Sequence, residues 1–359
     1  MAGVSRMDEI VKFLEEKKPA INAAIEKYVP RRHDEKSLEF ILGKPRYAYD
    51  VETATKAVNE PIWDLLDRGG KRWRPALLLL ACDAVGGKSD DFIDLAVIPE
   101  VVHNGTLMVD DIEDDSALRR GKPCTHKVFG IDVAINAGNA MYFIPLTVLM
   151  SNRKKLGNKR TADAYEIYAQ EMINLSHGQA FDIWWHKGNK DPNEKEYLQM
   201  CAYKTGCLAR MAAKLGALIG GGTKKQIRII GVFAEAIGVA FQIQDDILNL
   251  VGEEFSKSKG VGEDIHEGKR TLMVVQALKK AKAAEAARLR EILGKHTSDE
   301  KLIAEAIGII KKTGSIDYAA EVAKKMVADA WKKLDAALPE TEAKKKLKSF
   351  ADYMIERKI

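Results

Sequence analysis

Five carboxylates stand within six residues of this chain: Asp110, Asp111, Glu113, Asp114 and Asp115. The stretch before them, from Phe92 onward, is largely apolar, so the acids fall near the C-terminal end of a mostly buried helix. That is the unfavourable end, because the helix macrodipole is already negative there. Like charges crowded against apolar surface raise one another's pKa or require a counter-ion. Asp110 and Asp114 are i and i+4 on one helical face and can share a hard divalent cation such as Mg2+. Arg119 and Arg120 follow directly, and a second pair, Asp245 and Asp246, ends another apolar stretch far downstream. An isolated acidic run is most simply a solvated surface. The two arginines and the second pair turn the reading toward metal ions that hold an anionic substrate.

Other segments offer fixed positive charge. R-G-G-K-R-W-R-P, residues 68–75, gathers Lys71, Arg72 and Arg74 within four positions behind two glycines. Pro75 suits the first turn of the helix that follows. Glycine with clustered cations at a helix start is a plausible diphosphate grip, and the apolar run from Ala76 to Val85 would anchor it. His103 lies seven residues before Asp110, two turns back on the same face. Further on, Y-K-T-G (203–206) opens a helix of small residues, Gly206, Ala209, Ala212, Ala213, Gly216, Ala217 and Gly220, whose spacing permits close helix–helix approach.

The elements that must position these groups are helical. Residues 1–30 carry Ile10, Leu14, Ile21 and Ile25 at helical spacing, and 31–50 read as a polar connection. Residues 54–66 are helical again. Gly86-Gly87 closes the apolar helix after Pro75, and Ser89 is the expected cap of the next. Residues 135–143 open another apolar helix, 152–161 form a polar break, and 162–185 are helical. From Thr271 the chain is Ala/Lys/Glu-rich helix, with Gly294 and Gly314 as stops and Ser298 and Ser315 as caps. No repeat or linker divides the 359 residues, so the expectation is one all-α domain over 1–359, with 1–50 as an N-terminal helical extension.

Composition narrows the function. Net charge is +5 and dispersed, too mild to indicate nucleic acid. Cys82, Cys124, Cys201 and Cys207 show no CxxC spacing and read as reduced thiols of a reducing compartment. No continuous apolar run reaches about 18 residues, and no signal-type segment opens the chain. The expectation is a cytoplasmic protein without a transmembrane segment, drawn peripherally to membrane if its product is greasy.

GGKRWRP followed by DDIEDDSALRRG resembles the trans-isoprenyl diphosphate synthases, and the geranylgeranyl diphosphate synthases within them. Asp110, Asp111 and Asp114 match that family's first DDxxD motif, and Arg119, Arg120 and Gly121 its RRG. Gln179 and Asp182 match its GQxxD pattern. F-Q-I-Q-D-D-I-L-N (241–249) matches its second aspartate-rich motif, with Asn249 in place of the last aspartate, as in the geranylgeranyl branch. The resemblance runs from about residue 60 to 280. It implies the isoprenoid synthase fold, a bundle of about ten or more helices around a central hydrophobic cavity. It also implies a homodimer and about three Mg2+ ions with substrate bound.

The implied reaction joins isopentenyl diphosphate head-to-tail to an allylic diphosphate. Asp110, Asp114 and Asp245 would hold the metals, with Asp111 and Asp246 supporting them. Arg119, Lys204 and Lys259 would add charge where the leaving diphosphate forms, with Lys269 on the same lysine-bearing lid. Lys71, Arg74, His103 and Arg120 would hold the homoallylic diphosphate. Thr205 and Gln242 would present oxygen dipoles to the allylic cation. Product length would be steric. Gly105 and Thr106 leave the tunnel open below the first motif, Tyr142 and Phe143 are its floor, and Ser176 leaves room. Twenty carbons is the favoured product, with twenty-five the nearest alternative and fifteen behind it. A terpene cyclase, a squalene-type head-to-head synthase and a non-catalytic synthase subunit are the rival readings. GGKRWRP and the complete set of acids and lysines oppose them.

Overall fold

The computed structural model describes residues 6–251 and 262–356. Among them the regular elements are all helices, apart from a two-residue antiparallel ladder that pairs Leu118 with Pro123 and Arg119 with Lys122. The all-α expectation is met. Internal packing gathers the chain into two compact units. One comprises Met1–Ile167, Ala212–Ile227 and Thr341–Leu347; the other comprises Tyr168–Met211, Arg228–Glu340 and Lys348–Ile359.

In the first unit the helix Arg6–Tyr28 buries Ile10, Phe13, Leu14, Ile21, Ile25 and Tyr28. The N-terminal stretch is therefore part of this unit's core. The polar connection read at 31–50 contains a helix, Glu35–Leu42. It starts at a reciprocal cap in which Asp34 accepts from the Ser37 backbone and the Ser37 side chain accepts from Asp34. Serine is not the Glu or Gln that marks this motif in a sequence, which is why it was not visible there.

The helix Trp73–Ala84 is buried on nearly every side. Ser89, expected as a cap, instead bonds Asp83: its N–H and its hydroxyl donate to the two carboxylate oxygens at 2.8 Å each. It opens a short 3-10 turn, Ser89–Ala96, and the helix Val97–Glu113 starts behind it with Pro99 in the first turn. Against that helix packs Ile131–Phe143. The two meet at glycines: a Cβ on Gly105 would lie 2.8 Å from Met141 Cβ, and one on Gly138 2.8 Å from Val109 Cγ2.

The polar segment 152–161 does interrupt the helix: within the span Arg153–His186 two helices meet at Gly157, whose backbone is not helical (φ 76°, ψ 159°). In the second unit, Glu194–Cys201 begins at an Asn193/Glu196 capping box and runs into a π-helical turn, Ala202–Gly206. Asp299, not Ser298, caps Glu300–Lys312, and Gly314 (φ 67°) occupies the cap position of Ser315–Asp335.

Three stretches, Ser89–Glu113, Ile131–Ser151 and Lys224–Val251, are long and apolar enough to cross a membrane by length and composition. The requirement of an unbroken apolar run missed them because single polar residues interrupt each. Much of each is buried within the protein, as expected of apolar helices in a helical core.

The small residues expected to allow close packing do so. A Cβ on Gly216 would fall 2.0 Å from the Leu78 carbonyl oxygen, and one on Gly220 would fall 2.5 Å from that of Cys82. Backbone cannot retreat as a flexible side-chain tip can. Gly216→Ala should lower stability by about 3 kcal/mol through overpacking. Gly308→Ala, in a helix with nothing within 4 Å of the new methyl, should be neutral or stabilising. Thermal unfolding of the two variants checks this, and equal melting points would refute the close approach.

Candidate active site

In the first unit the acids occupy the end of Val97–Glu113. Asp110 and Asp111 lie in its last turn, and Asp114 is the cap residue whose N–H donates to the Asp110 carbonyl at 2.9 Å. The paired aspartates differ. The Asp111 side chain is 1% exposed and accepts from Arg119 Nε at 2.7 Å and from its terminal nitrogen; the Asp110 side chain is 20% exposed. Arg119 Nη2 also lies 3.9 Å from Asp110 Oδ2. Burial alone would push the Arg119 pKa down, but the Asp111 carboxylate holds it above the ordinary arginine value. Arg119 thus stays charged where charge is costly to bury.

Arg119 is delivered by the small hairpin. Arg120 (φ 54°) and Gly121 (φ 75°) are both left-handed, as a type I′ turn demands. That backbone is unfavourable for arginine. It is held because the Arg120 guanidinium reaches across to the carbonyl oxygens of Gly69 and Leu65.

The GGKRWRP segment divides its cations. Arg72 is buried and left-handed (φ 51°). Its guanidinium donates to Glu100 at 2.6 Å, Asn22 at 3.1 Å and the Leu66 carbonyl at 3.2 Å, and Asn104 steadies Glu100 at 2.9 Å. Arg72 is therefore an internal pin, not part of the diphosphate grip read from sequence. Lys71 is exposed, and Arg74 lies buried with its guanidinium 4.1 Å from the Trp73 ring centre. Around His103, burial first and then Arg74, Arg120, Arg119 and Arg72 push the imidazole pKa well below its ordinary value. Two of these arginines are partnered by buried acids, Arg72 by Glu100 and Arg119 by Asp111, yet the summed positive charge still disfavours protonation of His103.

The chain-length residues separate. Gly105 and Tyr142 are neighbours, with the Tyr142 ring 3.2 Å from where a Gly105 Cβ would be. Gly105 answers first to helix packing, since Met141 and Gly138 leave no room for a side chain. Thr106 turns its hydroxyl onto the His103 carbonyl at 2.7 Å. Phe143, read as tunnel floor, is 68% exposed, whereas Tyr142 is half-buried. Ser176 is exposed, its hydroxyl donating to the Met172 carbonyl at 3.1 Å.

In the second unit the π-helical turn sends consecutive side chains to different partners. Lys204 Nζ donates to Asp182 at 2.6 Å, while the Thr205 hydroxyl donates to Gln242 Oε1 at 2.8 Å. Burial raises the Asp182 pKa, but the Lys204 ammonium and then Lys269 outweigh that and hold the carboxyl below its usual range. Gln242 Nε2 in turn donates to Asp246 Oδ1 at 2.8 Å, and Tyr197 donates to Asp246 Oδ2 at 2.7 Å. Burial lifts Asp246 to about 6 despite these donors. Asp246 is buried and Asp245 only half-buried, the same division as at Asp111 and Asp110. Lys269 pairs with Glu267. These groups line a cavity of about 40 Å³, bounded by Asp182, Tyr197, Lys204, Gln242, Asp246 and Lys269 among others. It holds a few waters at most.

Asn249 accepts at its side-chain oxygen from the Asp264 N–H, 3.1 Å away. Lys259 lies outside the described residues, as does the basic tail Arg357-Lys358. Glu100 and Tyr197 carried no motif signal, though Tyr197 is seven residues, two turns, before Lys204.

A family profile described as polyprenyl synthetase matches residues 55–310. The chain is 39% identical over 293 residues to a short chain isoprenyl diphosphate synthase of Methanothermobacter thermautotrophicus, covering 82% of this chain and 88% of that one. It is 34% identical over 298 residues to a geranylfarnesyl diphosphate synthase of Aeropyrum pernix, covering 82% and 92%. The crystal structure of a geranylgeranyl pyrophosphate synthetase from Pyrococcus horikoshii superposes with a TM-score of 0.85 at 31% identity, over 99% of this chain and all of that one.

The His103 environment has a consequence for stability. Its folded pKa lies below the unfolded value of 6.5, so below that pH the unfolded chain takes up a proton that the folded chain refuses. Stability should fall as pH drops through 6.5 and lose no further contribution from this group above it. Urea unfolding at pH 5.5 and 7.5 should show a larger acid loss for the parent protein than for His103→Asn. Equal losses would show that the imidazole is not held neutral.

Proposed function

The chain belongs to the polyprenyl synthetase family, and from that premise we propose that it extends farnesyl diphosphate by one isopentenyl unit to the twenty-carbon geranylgeranyl diphosphate. The reaction class is that of the family: a chain-elongating trans-isoprenyl diphosphate synthase, a transferase of alkyl groups. One observation carries the assignment of roles. In each aspartate pair the second carboxylate is buried on a fixed donor, Asp111 on Arg119 and Asp246 on Gln242 and Tyr197, while the first is less buried. In the first unit Asp110 and Asp114 fit a hard cation, with oxygen donors, high charge and partial access, and in the second unit Asp245 offers the same chemistry. Mg2+ takes few protein carboxylates and completes its shell with water and substrate phosphate. When bound, the metal supplies Lewis-acid polarisation of the diphosphate oxygens.

The remaining steps belong to the chain's own side chains. The allylic C–O bond breaks and its electron pair leaves on the diphosphate. Arg119 and Lys204, fixed by Asp111 and Asp182, add positive charge where that negative charge grows. Thr205 and Gln242 turn oxygen dipoles toward the allylic cation. Arg74, His103 and Arg120, with Lys71 at the rim, hold the homoallylic diphosphate. Its alkene attacks the allylic carbon, and loss of a proton to the departing diphosphate leaves a longer allylic diphosphate. A terpene cyclase has no use for this second anion site.

Identity does not decide chain length, since a twenty-five-carbon synthase is as similar as others. Tyr142 supports twenty: it is half-buried with its ring beside Gly105, where a growing chain would end. The protein acts as a homodimer in this reading, supported by the exposed apolar side chains Ile131, Ile135, Phe143 and Met150 on neighbouring helices of one unit. Four buried cysteines free of disulfides support a cytoplasmic setting.

Labelled isopentenyl diphosphate with farnesyl diphosphate should give a twenty-carbon product with Mg2+ and none with EDTA. No elongation of any allylic starter by the folded protein would overturn the reading. Tyr142→Ala should shift the product to twenty-five carbons or more with an unchanged KM for isopentenyl diphosphate. An unchanged product length would place the floor elsewhere.

A further inference from the structure

Asp246 is a buried carboxylate whose two oxygens are engaged by two neutral donors. Gln242 Nε2 reaches Oδ1 at 2.8 Å, and the Tyr197 hydroxyl reaches Oδ2 at 2.7 Å. A carboxylate only accepts, so the end of the Gln242 amide that faces it must be the NH2. The carbonyl end is thereby fixed the other way, where it accepts from the Thr205 hydroxyl at 2.8 Å. The four groups form one chain of donors and acceptors: Tyr197 to Asp246, Gln242 to Asp246, Thr205 to Gln242. Each link is internal to one compact unit.

We propose that Tyr197 is a positioning residue: through Asp246 it sets the orientation of the Gln242 amide, and so the sign of the dipole presented at the allylic carbon. The inference rests on the proposed reaction, in which Gln242 and Thr205 face a carbocation. A carbonyl oxygen stabilises that cation. An amide turned by half a revolution offers N–H groups instead and destabilises it.

Tyr197 is placed for this task. It is 1% exposed and sits in Glu194–Cys201, whose first turn is locked by the Asn193/Glu196 capping box. Without the hydroxyl, Asp246 Oδ2 becomes a buried acceptor lacking its donor, an unfavourable state. The carboxylate relieves it by rotating toward another donor. That rotation takes Oδ1 away from Gln242 Nε2, and the amide loses the partner that distinguishes its two ends. The aromatic ring stays in Tyr197→Phe, so the packing of the helix is kept.

The test is a double-mutant cycle with a spectroscopic arm. Tyr197→Phe should slow single-turnover condensation roughly 10- to 100-fold, as loss of oriented electrostatic stabilisation does. The Kd for farnesyl thiodiphosphate with Mg2+ should stay within about twofold. In a Gln242→Ala background the same change should have no further effect, because no amide remains to orient. A merely structural role would instead slow both backgrounds equally and overturn the proposal, as would an unchanged rate in the parent background. Separately, the Gln242 side-chain NH2 signals, identified by their loss in Gln242→Ala, should be a single pair in 15N-labelled parent protein and should split or broaden in Tyr197→Phe. An unaltered pair would sink the proposal by itself. This arm needs no turnover: if the parent protein made no product, the functional reading would fall while the Tyr197 link would still be judged by the amide signals.

Discussion

The structure turns on one electrostatic difficulty, negative charge collected at the C-terminal ends of apolar helices. Two carboxylates side by side at such an end repel each other and the helix dipole. The protein answers twice in the same way. It buries the second aspartate of the pair and gives it dedicated donors, Arg119 for Asp111 and Gln242 with Tyr197 for Asp246. The arrangement leaves the less buried partner to draw in a counter-charge. Each buried aspartate also holds a residue that the proposed reaction would use, Arg119 in one case and Gln242 in the other. In the proposed reading, acidity serves as scaffold and as metal attraction in adjacent positions.

Precision in the second unit comes from backbone contacts. A Cβ on Gly178 would lie 2.3 Å from the Lys204 nitrogen, and one on Gly238 would lie 2.8 Å from Gly206 Cα. Two glycines therefore clamp the π-helical turn Ala202–Gly206 from two sides. In a regular helix, adjacent side chains diverge by a fixed angle. The widened turn lets Lys204 and Thr205 meet Asp182 and Gln242 instead. π turns recur at functional sites, and here the local irregularity serves to aim two consecutive residues.

The legible part of the site was the part written in charge and local spacing. Asp110, Asp114, Arg119 and the cations of 68–75 declare themselves within short windows, and Gly216 and Gly220 declared close packing. What remained hidden was pairing at a distance. Nothing near Arg72 announces that Glu100, twenty-eight residues on, accepts its charge, so the sequence alone groups an internal pin with the grip. Nothing near Phe143 distinguishes it from Tyr142, because one residue's step around a helix separates a half-buried position from an exposed one. Caps failed for a similar reason: Ser89 and Asp299 show that a side chain's nearest competitor decides its partner, and composition does not reveal the competitor.

Asn249 shows why a lost charge need not be a lost function. Its side-chain oxygen receives the Asp264 N–H and its backbone carbonyl receives the Gly262 N–H, so it ties the end of the second acidic motif to the chain that follows. A neutral amide oxygen suffices for that bond. An aspartate there would accept the same N–H but would add a third carboxylate to a helix end where burial has already lifted Asp246 to about 6. The departure from the acidic pattern is best understood as relief of repulsion at a position whose work is to hold the chain.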